Sequence, residues 1–111
     1  MPELKQNPTL RDFQEYVFQM KRERGFNTTD KFYECCLLAE ECGEVISAVR
    51  KNSRGGSVGS DSRVGQVAEE LADVFLYVCS LANMHDIDLE SAVRAKEEIN
   101  KRRTWKRLPQ N

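Results

Sequence analysis

The chain has 111 residues, of which 17 are Lys or Arg and 18 are Asp or Glu, so its net charge is −1. This length fits one small domain, residues 1–111, with a modest core. A nearly balanced charge gives no electrostatic case for a stable nucleic-acid partner. The first eight residues lack the apolar segment of a signal peptide. No apolar run approaches the roughly 18 residues of a membrane span, so we expect a cytoplasmic protein without a membrane partner.

The four cysteines all fall within predicted helices and show no CxxC spacing. Small secreted proteins that depend on disulfides are rich in loops, and this chain is not. We therefore interpret the cysteines as reduced, small core residues. They are Cys35, Cys36, Cys42 and Cys79.

The first predicted helix runs from Leu10 to about Arg24. Thr9 is a good N-cap, and Asp12 is placed to bond back to it as in a capping box. Gly25 follows, where a helix end favours a left-handed residue.

The second predicted helix runs from about Lys31 to Lys51, capped by Thr29 or Asp30. One arc of about 100° collects its apolar residues and is the predicted core face. The members of this arc are Cys35, Leu38, Cys42, Val45, Ile46 and Val49. Glutamates lie along one border of the arc, interleaved with Leu37 and Ala48, which indicates partly buried carboxylates. These are Glu34, Glu41 and Glu44.

A Gly- and Ser-rich segment at about 52–62 predicts a flexible loop, which is either a lid or disordered.

The third predicted helix, from about Val64 to Met84, has an inner stripe of Val64, Val67, Ala68, Leu71, Phe75, Val78 and Ala82. The fourth begins near Asp88 and reaches about Arg103, with a thin apolar face of Ala92, Ala95 and Ile99. Residues 104–111 form a short tail. No segment alternates with period two, so the fold class is all-α, a four-helix bundle.

Two acidic clusters carry the strongest chemical signal, Glu40-Glu41-Cys42-Gly43-Glu44 and Glu70-Leu71-Ala72-Asp73. Carboxylates three residues apart share one face of a helix. If the two helices pack side by side, four carboxylates meet, and they repel each other unless a cation neutralises them. Oxygen ligands suit Mg²⁺, with Mn²⁺ as a substitute. The predicted ligands are Glu41, Glu44, Glu70 and Asp73; the alternative is an ordinary charged helix face.

A second group, Lys96, Asn100 and Arg103, shares one face of the fourth helix. Such side chains can hold phosphate oxygens, although their spacing alone favours a solvated basic helix end. Tyr77 lies one turn after Asp73 and either donates to a phosphate or packs half-buried. Three aromatic residues offer a stacking surface for a nucleobase, with core packing or a subunit contact as the alternative. They are Phe13, Phe26 and Trp105.

The order of these motifs resembles the all-α nucleoside triphosphate pyrophosphatases, most closely their small MazG-like branch. The resemblance extends from about Leu10 to Arg103. It implies hydrolysis of a nucleoside triphosphate to a monophosphate and pyrophosphate, in cleaning of the nucleotide pool. It also implies a homodimer or homotetramer with the site built across subunits.

The resemblance further assigns roles to residues. Glu41, Glu44, Glu70 and Asp73 would bind Mg²⁺, and Glu41 would also orient or deprotonate the attacking water. The phosphates and sugar would contact Tyr77, Lys96, Asn100 and Arg103, and Phe26 stands nearest the base-stacking position. Two alternatives stay open: a related pyrophosphatase dedicated to dUTP, dCTP or phosphoribosyl-ATP, and a non-catalytic, self-associating helical module.

Overall fold

The computed structural model describes residues 1–53 and 66–103. This part of the chain contains helices and no strand, which confirms the all-α prediction. The helices are α1 Leu10–Arg24, α2 Lys31–Ser53, α3 Val67–Met84 and α4 Leu89–Arg102. Within the described residues, none of these helices is long and apolar enough to cross a membrane.

The predicted helix bounds differ from the structure mainly beside the Gly- and Ser-rich segment. Helix α2 extends through Ser53, two residues past its predicted end. The start predicted for the third helix at Val64, most of the predicted loop, the tail and Trp105 lie outside the described residues.

Local side-chain bonds fix both ends of α1 as the sequence predicts. The hydroxyl oxygen of Thr9 accepts from the Asp12 backbone N–H at 3.1 Å, and Asp12 Oδ2 accepts from the Thr9 backbone N–H at 2.9 Å. The bond from the Thr9 backbone is the main cause that lowers the pKa of Asp12. Gly25 ends the helix with φ of 75°, a conformation that a residue without Cβ adopts at little cost.

The two other predicted caps are also present. Of the two candidates before α2, Asp30 is the residue that caps, because its Oδ1 accepts from the Tyr33 backbone N–H at 2.7 Å. Asp88 caps α4 by accepting from the Ser91 backbone N–H at 3.1 Å. These caps set where each helix begins, and the helices then pack through few buried apolar residues.

Helix α3 is central, with α1 and α2 packed against it, and α4 packs against α1. The apolar centre consists of Val17, Met20 and Cys79. Phe13 packs against this centre and meets Phe75 edge to face, with ring centroids 5.1 Å apart. The core-packing interpretation of Phe13 is therefore confirmed.

Gln14 ties α1 to the connection between α3 and α4. Its Nε2 donates to Asn83 Oδ1 at 3.0 Å and to the Ile87 carbonyl at 2.8 Å, and its Oε1 accepts from the Leu89 backbone N–H at 2.9 Å. The buried amide thus satisfies backbone groups that a helix end leaves without partners. This network holds α4 on α1.

A buried ion pair joins α1, α2 and α3. Lys21 Nζ on α1 donates to Glu34 Oε2 on α2 at 2.6 Å and to Ser80 Oγ on α3 at 2.7 Å. Ser80 donates its hydroxyl hydrogen to Glu34, and Thr29 Oγ1 donates to Glu34 Oε1 at 3.3 Å. Burial alone raises the pKa of Glu34, but these bonds outweigh it and hold the pKa below its usual range. Glu34 is therefore a carboxylate near neutral pH.

The predicted core face of α2 is wrong. Cys35, Cys42, Ile46 and Val49 are exposed, and Ile46 is 69% exposed. The buried residues of α2 are Glu34 and Ala48, which belong to the border that carries the acids. Because Glu34 bonds to Lys21 and Ser80, the helix turns this border toward α3. Most of the apolar arc is left exposed, with Leu38 and Val45 half-buried.

The prediction that the cysteines are core residues holds only for Cys79. Cys35, Cys36 and Cys42 are exposed, whereas Cys79 is fully buried. Burial raises the pKa of the Cys79 thiol to about 11, which makes it unreactive near neutral pH. Cys35 and Cys42 belong to the apolar arc of α2, so their exposure follows from the same rotation of α2.

The apolar stripes of α3 and α4 are also partly outside the protomer core. Ala68 and Leu71 on α3 are exposed, as are Ala92, Ala95 and Ile99 on α4, which contains no buried residue. An amphipathic helix with an uncovered apolar face has too little packing to hold it in place alone. The described protomer therefore leaves apolar faces of α2, α3 and α4 without a partner element.

We expect Glu34→Ala to lower the free energy of unfolding by about 3–5 kcal/mol, because it leaves Lys21 buried without its counter-charge. The loss is greatest near neutral pH. Since the folded pKa of Glu34 lies below its ordinary value of 4.5, the carboxylate's contribution disappears as the pH falls below about 4.5. Urea denaturation across this pH range measures both effects.

The matched control is Glu98→Ala, which removes the partner of Lys101 from an exposed pair. This change should cost no more than about 0.5 kcal/mol. Equal losses for the two variants would contradict the stabilising role of the buried pair.

Candidate metal centre and adjoining cavity

The pairing of α2 with α3 brings three carboxylates together. Glu41 lies on α2, and Glu70 and Asp73 lie one turn apart on α3. One oxygen from each of these three side chains lies within 4.8 Å of the other two. Glu34 on α2 contacts Ser80 on α3 two turns away from this group, so α2 and α3 run antiparallel. The buried ion pair and the three acids therefore lie along the same α2–α3 interface.

The negative charges of the three carboxylates repel one another at this separation. Burial is the largest cause that raises the pKa of Glu41, and the charges of Asp73 and Glu70 raise it further. Glu41 and Glu70 are half-buried and Asp73 is exposed, so solvent can reach the group. Three carboxylate oxygens this close together attract a cation, and oxygen ligands are those that a hard divalent cation prefers. The group is therefore a candidate metal site.

The fourth predicted ligand, Glu44, lies beside this group and is not part of it. Glu44 is exposed, as is Glu40. The charges of both residues raise the pKa of Glu41, which places them within electrostatic range. The structure thus brings three of the four predicted acids together and leaves Glu44 at the edge.

A cavity of about 400 Å³ adjoins the acidic group, and Asp73 belongs to both. Tyr77, one turn after Asp73, lines the cavity together with Phe26 and Tyr33. Burial chiefly raises the pKa of Tyr77, and the charge of Glu41 raises it further. The phenol is therefore protonated near neutral pH and available as a hydrogen-bond donor.

The buried ion pair lines the same cavity. Lys21, Glu34, Ser80 and Thr29 are among the lining residues, with apolar side chains such as Leu76 between the two polar regions. The cavity therefore has a carboxylate of the candidate metal site at one position and a buried ammonium–carboxylate pair at another. Aromatic side chains form part of the wall. A small molecule with an anionic end and a planar polar end matches this arrangement.

The basic group on α4 is not part of this cavity in the protomer. Lys96 and Arg103 are exposed, and Asn100 donates to Glu97 Oε2 at 2.7 Å. The three predicted phosphate-binding residues do not line the cavity, and α4 makes its helix packing with α1. Within one protomer, the structure does not bring them to the acids.

Sequence reasoning missed Lys21, Tyr33 and Ser80 as cavity residues. Glu34 carried a detectable signal, since it precedes Glu41 by seven residues and so lies on the same face of α2. Lys21 carried none, because an isolated lysine near a helix end is ordinarily solvated. Only the packing of α1 shows that this lysine is 13% exposed and paired.

Comparison with known proteins identifies the family of this chain. The model of the MazG nucleotide pyrophosphohydrolase domain matches residues 35–106, a span that holds the two acidic clusters of α2 and α3 and the basic residues of α4. The chain is also 30% identical over 95 residues to the uncharacterized protein YvdC of Bacillus subtilis (strain 168). That match covers 80% of this chain and 90% of the relative. The chain belongs to the MazG nucleotide pyrophosphohydrolase domain family.

Proposed function

We propose that the protein is a Mg²⁺-dependent pyrophosphohydrolase that converts (d)NTP to (d)NMP and pyrophosphate, in house-cleaning of the cytoplasmic nucleotide pool. The observation that carries the proposal is the convergence of Glu41, Glu70 and Asp73 beside a cavity with aromatic walls. Membership of the MazG family supports the reaction class. A triphosphate at the acids leaves the nucleoside facing the cavity.

The proposed metal ligands are Glu41, Glu70 and Asp73, with Glu44 as the fourth. Their donor atoms are carboxylate oxygens, which favour Mg²⁺ and accept Mn²⁺ as a substitute. When bound, such an ion polarises the phosphate and lowers the pKa of a coordinated water. A bound cation would also compensate the repulsion that raises the pKa of Glu41 in the metal-free protein.

Glu41 is the proposed residue that orients and deprotonates the attacking water. It is half-buried, and the two acids of α3 face it, so its carboxylate lies centrally in the group. The water oxygen bonds to the α-phosphorus while the bond from that phosphorus to the α–β bridging oxygen breaks. Pyrophosphate leaves with the bonding electrons, and the proton of the water passes to the Glu41 carboxylate.

Tyr77 and Phe26 are proposed to contact the substrate from the cavity wall. Tyr77 and Asp73 both line the cavity, and the Tyr77 hydroxyl would donate to a phosphate oxygen or the sugar. Phe26 is 55% exposed and lines the cavity, as a stacking platform for a base would. Lys96, Asn100 and Arg103 are proposed to hold the phosphates, and for them a second copy of the chain is needed.

A homodimer or homotetramer would supply that second copy. The apolar arc of α2 and the apolar residues of α4 are exposed in the protomer. Burial of such apolar faces between copies would favour assembly. Helix α4 of one protomer would then bring its basic residues to the acids of another.

Two alternatives remain distinct from this proposal. A pyrophosphatase dedicated to dUTP, dCTP or phosphoribosyl-ATP would use the same acids and differ in which substrate it turns over. A non-catalytic, self-associating helical module would use the exposed apolar faces and would have no affinity for Mg²⁺.

We expect Mg²⁺-dependent formation of monophosphate and pyrophosphate from at least one nucleotide in a panel of dNTPs, NTPs, phosphoribosyl-ATP and oxidised or deaminated analogues. Glu41→Gln should lower kcat/KM by about 10²–10⁴-fold, the usual effect of losing a general base. Chromatography of the products measures both, and the panel ranks the substrates.

The neighbouring Glu40→Gln is the matched control, because Glu40 is exposed and outside the group of three. It should retain kcat/KM within about threefold of the wild type. Products of diphosphate and phosphate, or wild-type activity in Glu41→Gln, would overturn the assignment.

We expect the double variant Glu41→Gln/Asp73→Asn to be more stable than the wild type without metal, because it removes repulsion. Mg²⁺ should raise the Tm of the wild type and not that of the variant. At 100 times the Kd the stabilisation is about 2.7 kcal/mol. Calorimetry with and without Mg²⁺ measures this, and Glu90→Gln/Glu98→Gln removes the same charge from α4 as the control. A wild type that Mg²⁺ does not stabilise would favour the interaction module.

We expect Ile46→Lys to shift the protein toward smaller species, because Ile46 lies on the exposed apolar arc of α2. Sedimentation equilibrium measures the shift. Leu4→Lys, an apolar residue that lies outside the helices, is the matched control and should leave the assembly unchanged. A wild-type protein that is monomeric at micromolar concentration would contradict the proposed assembly.

A further inference from the structure

The wall of the cavity combines aromatic surface with one buried charged pair. Phe26 and Tyr33 line it, and Lys21 and Glu34 line it as well. The Glu34 side chain is 2% exposed and that of Lys21 is 13% exposed. Replacing a buried ion pair by well-packed apolar residues of similar volume often costs no stability. Because the pair lies on the wall of a cavity, it can bind a ligand as well as stabilise the fold.

The pair has hydrogen-bonding capacity beyond its own contacts. A carboxylate offers about four acceptor sites, and Glu34 fills three, with Lys21 and Ser80 at Oε2 and Thr29 at Oε1. An ammonium has three donors, and Lys21 uses two, on Glu34 and Ser80. Counting partners among residues 1–53 and 66–103, one acceptor site at Oε1 and one donor at Nζ remain. The two groups that carry them are in direct contact, because Nζ is 2.6 Å from Oε2 of the same carboxylate.

A neighbouring donor and acceptor of this kind matches the Watson–Crick edge of a nucleobase. That edge places an N–H next to a carbonyl oxygen or a ring nitrogen, and proteins that enclose a single base bond to it while aromatic side chains stack on its faces. A phosphate does not fit the same position, because the Glu34 carboxylate repels it. The phosphates of a nucleotide would therefore lie at the acids near Asp73, and its base would lie at the Lys21–Glu34 pair.

We infer that Lys21 and Glu34 read the Watson–Crick edge of the substrate's base, with Glu34 Oε1 accepting from its N–H and Lys21 Nζ donating to the adjacent acceptor. This inference rests on the proposed function, because the triphosphate at the acids is what orients the base toward the pair. Nucleotides with an intact edge are then substrates, and nucleotides methylated on the edge N–H are rejected.

The rejection has a simple physical cause. A methyl group on the edge nitrogen removes the donor and leaves the buried acceptor of Glu34 without a partner in the complex. Charged groups lose more than neutral ones in such a case, and a site built to bond an N–H discriminates strongly against its absence. We expect kcat/KM to fall by about 10–100-fold for the methylated nucleotide.

The test compares matched substrate pairs, dTTP with N3-methyl-dTTP and dGTP with N1-methyl-dGTP, under the same Mg²⁺ concentration. Three proteins are assayed: the wild type, K21M/E34Q and the control R94M/E90Q, which alters an exposed acid–base pair on α4. The wild type and the control should discriminate against methylation. For K21M/E34Q, kcat/KM for the methylated and the unmodified nucleotide should agree within about threefold, because KM for the unmodified nucleotide rises.

Each outcome separates the two claims. Equal kcat/KM for methylated and unmodified nucleotides in the wild type overturns the edge reading and leaves the pyrophosphohydrolase proposal intact. Discrimination that persists in a folded K21M/E34Q overturns the assignment to this pair. If the double variant does not fold, the isosteric E34Q variant takes its place, and its unchanged discrimination counts equally against the inference. No turnover of any nucleotide by the wild type overturns both proposals.

Discussion

The bond of Lys21 to Glu34 and Ser80 sets how the first three helices face each other. The apolar centre is small, so no large hydrophobic surface competes with this contact in fixing the rotation of α2. A buried carboxylate without its partner would cost several kcal/mol, and helix α2 therefore cannot rotate away from α1 and α3. The same contact also fixes the orientation of the acids, which lie two turns away on the same interface.

That rotation has two consequences for function. It turns Glu41 toward Glu70 and Asp73, which concentrates negative charge at one place on the α2–α3 interface. It also leaves the apolar arc of α2, including Ile46, on the outside of the protomer. One contact thus builds the candidate metal centre and exposes the surface through which a second copy would approach. Stability and the candidate metal site are linked because both depend on the inward face of α2.

The sequence predicted features that depend on local chemistry. Thr9 and Asp88 cap helices through bonds to nearby backbone, and Glu70 and Asp73 share a face because the helix period requires it. The rotation of α2 was predicted wrongly, since its apolar arc outweighs the acidic border in any count of hydrophobic residues. The deciding partner, Lys21, lies on another helix and has no local signature. Where α4 packs was likewise not predictable, because a thin apolar face fits a neighbouring helix or another subunit.

The central claim is that the acids direct water to the α-phosphorus of a nucleoside triphosphate. Hydrolysis in water enriched in ¹⁸O, followed by mass spectrometry of both products, tests it most directly. Attack at the α-phosphorus places the heavy oxygen in the monophosphate and leaves the pyrophosphate unlabelled. Label in the pyrophosphate would mean attack at the β-phosphorus, which yields the same two products and would contradict the account.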